Sequence, residues 1–118
     1  MTKTVSVAAR LTNFAKQVQV APVKVPGFDG ALYVREMSGV DRERYELGIT
    51  SGAQDKGHVR AMLVACTLCD EQGKLLFGPD QVAEIASWKV RVLIPLAEKA
   101  AELSAITESD IQELEGNS

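Results

Sequence analysis

The sequence is poor in the residues that most often carry chemistry. Its 118 residues include one histidine and two cysteines. A lone His58 excludes the His-x-x-x-His spacing of helical zinc sites. No Gly-x-Ser-x-Gly occurs, so the nucleophile elbow of hydrolases is missing. Neither Gly-x-Gly-x-x-Gly nor Gly-x-x-x-x-Gly-Lys-Ser/Thr is present, which excludes the common phosphate-cradling loops. Aromatics are few and scattered (Phe14, Phe28, Tyr33, Tyr45, Phe77, Trp88), with no basic residues interleaved as a platform for stacked bases. The formal charge of −3 gives no broad basic surface, so no nucleic-acid partner is expected. No uninterrupted apolar run approaches the ~20 residues of a membrane span. Met1-Thr2-Lys3-Thr4 does not open a secretory signal, and a cytosolic protein is expected.

What is present describes an ordinary globular chain. The 46% hydrophobic and 25% charged fractions, at this length, suit one domain over 1–118 with a core that needs neither metal nor disulfide. There is no internal repeat or low-complexity tract. Charge is uneven: residues 98–118 carry six acids against Lys99, a balance of −5, and the preceding 97 residues sum to +2. An acidic end is usually solvation, and otherwise a docking surface for a basic partner. Arg10, Lys16, Lys24 and Arg35 make the first third mildly basic, read as a solvated face.

Periodicity sets out the elements. Val7, Leu11 and Phe14 recur at helical spacing within 6–17, with Ser6 as N-cap. Val18, Val20, Val23 and Val25 then suit a strand. Pro22 and Pro26 confine that strand to a sheet edge. Gly27-Phe28-Asp29-Gly30 turns the chain into a second strand, Leu32-Tyr33-Val34, completing a hairpin that must pack on helices or on another chain. Ser38-x-x-Asp41 opens a helix that ends between Gly48 and Gly52, followed by a loop over 51–57.

The run 58–69 is apolar nearly all round and reads as a central buried helix. Asp70-Glu71-Gln72-Gly73-Lys74 stops it, and Leu75-Leu76-Phe77 is placed as an added edge for the hairpin. A helix is expected near 80–88 and another over about 88–105, bent or broken near Pro95. Thr107-Glu108-Ser109-Asp110 resembles a capping start for a short terminal helix with Ile111 and Leu114 on one edge. The ends, 1–5 and 115–118, should fray. The fold class is α+β, mostly α: an N-terminal β-hairpin packed on a four- to five-helix domain.

Cys66-x-x-Cys69 is the one pattern that looks like a site. A redox pair needs its first thiol at a helix N-terminus, where the dipole stabilises a thiolate; here the pair closes a helix. Zinc needs four ligands, and only His58 adds to the two thiols. The bland reading is two small buried thiols. Asp41 with Glu43, and Asp70 with Glu71, lie at helix ends where acids are common, and nothing in their spacing sets them up for acid–base work. His58 reads as a surface residue. No catalytic residue, metal site or cofactor is expected.

Several strings resemble a known family. Leu32-Tyr33-Val34-Arg35-Glu36-Met37-Ser38-Gly39 resembles the strand leading into the first long helix of tail assembly chaperones of long-tailed, non-contractile bacteriophages and prophages. The stretch 60–77 is similar to that family's apolar helix, Asp-x-x-Gly turn and hydrophobic return. Residues 80–103, the string Leu103-Ser104-Ala105-Ile106-Thr107 and the Gly116-Asn117 end fit as well, so the likeness spans most of 20–118.

The resemblance implies a non-catalytic protein of the host cytoplasm, absent from the finished virion. It would self-associate, coat the helical tape measure protein, keep it soluble and recruit tail tube subunits. It also implies −1 ribosomal slippage near the stop; Glu115-Gly116-Asn117 can be encoded GAG GGA AAC, which contains a slippery heptamer. The partner-binding residues assigned on this basis lie on the edge hairpin and the helical region over 81–105: Val18, Val20, Val23, Val25, Leu32, Val34, Ile85 and Trp88. The alternatives are a structural tail-completion or head–tail joining protein, or a small thiol protein using Cys66 and Cys69. A generic bacterial adaptor also remains open.

Overall fold

The computed structural model describes residues 6–50 and 58–106. The expected loop over 51–57, the terminal helix beginning at Thr107, and both chain ends lie outside the described residues. Five helices and a three-stranded antiparallel sheet make up the rest: α1 (Val7–Lys16), β1 (Val20–Val23), β2 (Leu32–Arg35), α2 (Gly39–Thr50), α3 (Val59–Ala65), β3 (Leu68–Cys69), α4 (Val82–Ala86) and α5 (Val90–Leu103). The mostly helical α+β architecture expected from the sequence is the one observed.

The hairpin forms as its residue types dictate. β1 pairs with β2 from Val20 opposite Arg35 to Val23 opposite Leu32. β1 is an edge strand, which accommodates Pro22, a residue with no N–H to give a ladder. β2 is central because Leu68 and Cys69 pair with Val34 and Tyr33 on its other side.

That third strand corrects the expected helix over 58–69. α3 ends at Ala65, and Cys66 is its C-cap. Thr67 stops the helix: its buried hydroxyl donates to the Leu63 carbonyl at 2.7 Å, while its own carbonyl accepts the Arg35 N–H at 3.0 Å. A β-branched residue gains more from that sheet bond than from another helical turn. Leu75 forms only an isolated bridge to Cys69, so β3, not 75–77, extends the hairpin.

Period-two alternation puts Ala21, Val23, Leu32 and Val34 on one face of the sheet. This face packs on α5, and Val34 is completely buried. The opposite face carries Val20 and Arg35, beside the turn after β3. Arg35 Nη1 donates to the Gly73 carbonyl at 2.9 Å, and a Cβ on Gly73 would stand 3.3 Å from Val20 Cγ2. Gly73 has φ of +88°, the left-handed conformation that closes this turn. Asp70 fixes it, with Oδ1 accepting the N–H groups of Gln72 and Lys74 at 2.9 Å each.

α3 is the centre of the helical layer, packed on α2, α4 and α5. Six of its seven residues are buried, as its all-round apolarity predicts. α2 starts at the expected capping box: Ser38 Oγ accepts the Asp41 N–H at 3.1 Å, and Asp41 Oδ2 accepts the Ser38 N–H at 3.2 Å. A 3₁₀ turn over Pro79–Gln81 leads into α4.

The boundary expected near 88 between two helices is observed, but the helix is not broken near Pro95. Lys89 is extended, with ψ of 148°, and α5 then runs unbroken through Pro95. The proline removes only the bond to the Arg91 carbonyl, one turn from the helix start. The break sits at Ser87–Lys89 because Trp88 turns back to pack edge-on against Phe77, with ring centroids 5.4 Å apart.

Candidate interaction surface

α1 begins as the sequence predicts, with Ser6 Oγ accepting the Ala9 N–H at 3.1 Å. None of its residues is buried. Val7, Leu11 and Phe14, the apolar face, are 75, 62 and 74% exposed. A helix of ten residues is short of the ~12–15 at which isolated helices begin to persist in water. Burying three such side chains is worth about 4 kcal/mol gross. α1 thus carries a large apolar stripe that the body of the molecule leaves uncovered.

The shape of that stripe is informative. Val7, Leu11 and Phe14 are spaced four and three apart on one face of α1; Val18 lies beyond the helix, past the extended Gln17. Ala8 and Ala15 widen that face and Arg10 borders it, the breadth of an ordinary amphipathic helix that lies against another surface.

After α1 the chain is extended at Gln17. It is pinned to the sheet at Gln19, whose N–H donates to Glu36 Oε1 at 2.8 Å and whose carbonyl accepts the Glu36 N–H at 2.9 Å. Between α1 and the β2–α2 connection lies an open groove of about 1000 Å³. Phe14, Lys16 and Val18 line one side, and Glu36, Met37 and Gly39 the other. The Met37 N–H donates to Ser104 Oγ at 3.0 Å, which ties the end of α5 to this wall.

The sequence-assigned contact residues are redistributed. Val18 is exposed and lines the groove. Val20 is half-buried beside the Gly73 turn. Val23, Leu32 and Trp88 are half-buried against the core. Val25, Val34 and Ile85 belong to the core itself and have no side-chain surface to offer a partner. Val25 does not continue β1; it follows the strand and tucks inward, its carbonyl accepting the Phe28 N–H at 3.0 Å. Ile85 is the inward residue of α4, and Val34 the inward residue of the central strand. The exposed apolar residues that this assignment left out are Val7, Leu11 and Phe14. Their four-three spacing was visible, but spacing alone does not say whether such a helix lies on its own core.

Two further expectations are corrected. His58 is half-buried, not on the surface, and its Nδ1 is out of contact with solvent. It sits at the N-terminus of α3, where the chain enters the core. Arg35 is not a solvated cation. It reaches Asp41 Oδ2 at 2.8 Å, joining the central strand to the cap of α2, and Asp41 is itself buried.

Cys66 and Cys69 are buried free thiols. Burial, reinforced by the charge of Asp41, pushes the Cys66 thiol up to about 11, against smaller opposing effects of Arg44 and Arg35. Burial also raises Cys69, partly offset by Arg35. A buried, protonated thiol is a poor nucleophile and a poor metal ligand. Among the described residues no three His, Cys, Asp or Glu side chains gather into a potential metal site. No described helix is long and apolar enough to cross a membrane.

No family model, curated protein or solved structure matches this chain.

Proposed function

We propose that this chain is a non-catalytic interaction protein, and specifically a tail assembly chaperone of a long-tailed, non-contractile phage or prophage. It would hold the helical tape measure protein in solution in the host cytoplasm, recruit tail tube subunits, and be absent from the virion. The likeness of 32–39 and 60–77 to that family supports the reading. The observation that carries it is α1, an amphipathic helix whose apolar seam stands clear of the core and suits docking against a partner helix.

Co-expression with the tape measure protein tests it. The expected result is a soluble, co-purifying tape measure protein, lost with Leu11→Asp plus Phe14→Asp while the variant chain stays folded. Both side chains are exposed, so the double variant removes the surface without opening the core. A tape measure protein that stays insoluble beside the folded chain, in both short and frameshifted forms, overturns the chaperone reading. Finding the chain in purified virions would favour a structural tail component instead.

A further inference from the structure

The uncovered face of α1 has a charge as well as a shape. Arg10 stands three residues after Val7 and four before Phe14, so it borders the apolar face. Lys16 closes the helix and lines the groove. Both cations are exposed, and neither pairs with an acid among the described residues. α1 itself holds no acid, and none occurs from Ser6 to Phe28. Glu36, the acid that lines the groove, has its Oε1 engaged by the Gln19 N–H at 2.8 Å, so its carboxylate is turned to the chain's own backbone.

These observations select among occupants. The α1 of a second copy would set Arg10 and Lys16 against the same cations, which repel. A lipid surface would take up Val7, Leu11 and Phe14 but is too flat to fill the groove as far as Met37 and Gly39. A partner helix satisfies both parts: its apolar stripe lies along α1, and its body enters the groove. Carboxylates bordering that stripe would meet Arg10 and Lys16, giving the two cations the partners they lack.

We propose that the α1 face and its groove take an amphipathic helix of a partner protein whose apolar stripe is bordered by Asp or Glu. The proposal rests on the reading of α1 as a docking surface and adds the chemistry that its partner must bring. Leu11 and Phe14 supply contact area, and Arg10 and Lys16 supply selectivity.

Two synthetic helical peptides of about 18 residues test it, sharing one Leu stripe that is bordered by Glu in one and by Lys in the other. Each is titrated into the isotope-labelled full chain and followed through the amide signals of α1. Two exposed contacts that turn from attraction to repulsion change affinity about tenfold. The expected result is about tenfold tighter binding of the acidic peptide, a preference that shrinks at about 0.5 M salt. Arg10→Glu plus Lys16→Glu should reverse the preference while the signals of α3 and α5 stay in place, since both side chains are exposed. Equal binding of the two peptides, tighter binding of the basic one, or no response of α1 to either overturns the proposal. So do α1 signals that move with protein concentration alone, which assign the face to a second copy. Binding to anionic phospholipid vesicles in preference to the acidic peptide assigns it to a membrane and overturns the proposal as well. The tape measure protein is absent from this test, so charge selectivity can fail while the chaperone reading stands, and co-expression can fail while the acidic peptide binds.

Discussion

Ala105 ends α5 in the left-handed region, with φ of +56°. The bonds around it form a complete Schellman closure: the Ile106 N–H donates to the Ala101 carbonyl at 2.8 Å, and the Ala105 N–H to the Glu102 carbonyl at 3.4 Å. Ile106 is then buried against the helix it has just left. Glycine normally occupies this position, because a Cβ in the left-handed region costs about 1–2 kcal/mol. Ala105→Gly removes that cost but adds about 0.5–1 kcal/mol of backbone entropy lost on folding. The net expectation is a gain of about 0.5–1 kcal/mol, or about 2–4 °C in Tm for a chain of this size. Ala105→Val should lose at least about 1 kcal/mol, since a β-branched residue tolerates positive φ poorly. Urea denaturation with unchanged m-value, together with calorimetry, measures both. If Ala105 had ordinary helical or extended dihedrals, glycine would destabilise. A lower Tm for Ala105→Gly, or an Ala105→Val variant as stable as wild type, therefore refutes the argument.

Two other expectations concern buried polar groups. Arg35→Met leaves the Asp41 carboxylate buried without its guanidinium and should cost about 2–3 kcal/mol in urea denaturation; adding Asp41→Asn, which keeps the cap acceptor, should recover at least half. The Cys66 thiol should resist iodoacetamide at pH 8 in the folded chain and react fully in denaturant. Its folded value lies above the ordinary 9.0, so the folded state keeps its proton longer. Stability is therefore fully present below about pH 9 and falls toward pH 11, by on the order of 2–3 kcal/mol for this group. Stability that is flat over that range in a wild-type versus Cys66→Ala comparison would contradict the burial argument.

The parts of the fold legible in the sequence are those decided locally. Ser38 and Asp41 specify their reciprocal cap at a spacing of three, whatever lies nearby. Pro22 marks an edge strand because it lacks a donor. The all-round apolarity of α3 has only one solution, the centre of the layer. What was not legible depends on tertiary partners. Leu68 and Cys69 fit a helix as well as a strand on periodicity, and the free side of β2 decides between them. Arg35 looks like any surface cation until the sheet brings it to Asp41 and Gly73. Buried residues were assigned to the contact surface for a related reason. Residues such as Val34 and Ile85 are apolar both in cores and in interfaces, and hydrophobicity alone does not separate the two.

The division of labour between α1 and the rest follows from the same physics. The core assembles from β2, α3, α4 and α5, with Tyr45 of α2, and draws no buried side chain from α1. Substitutions on the exposed face of α1 therefore leave the core's packing unchanged. A surface of that kind can be tuned to a partner without loss of fold, which a surface built from Val34 or Ile85 could not be. The cost is an apolar seam facing solvent, a liability for self-association unless something covers it.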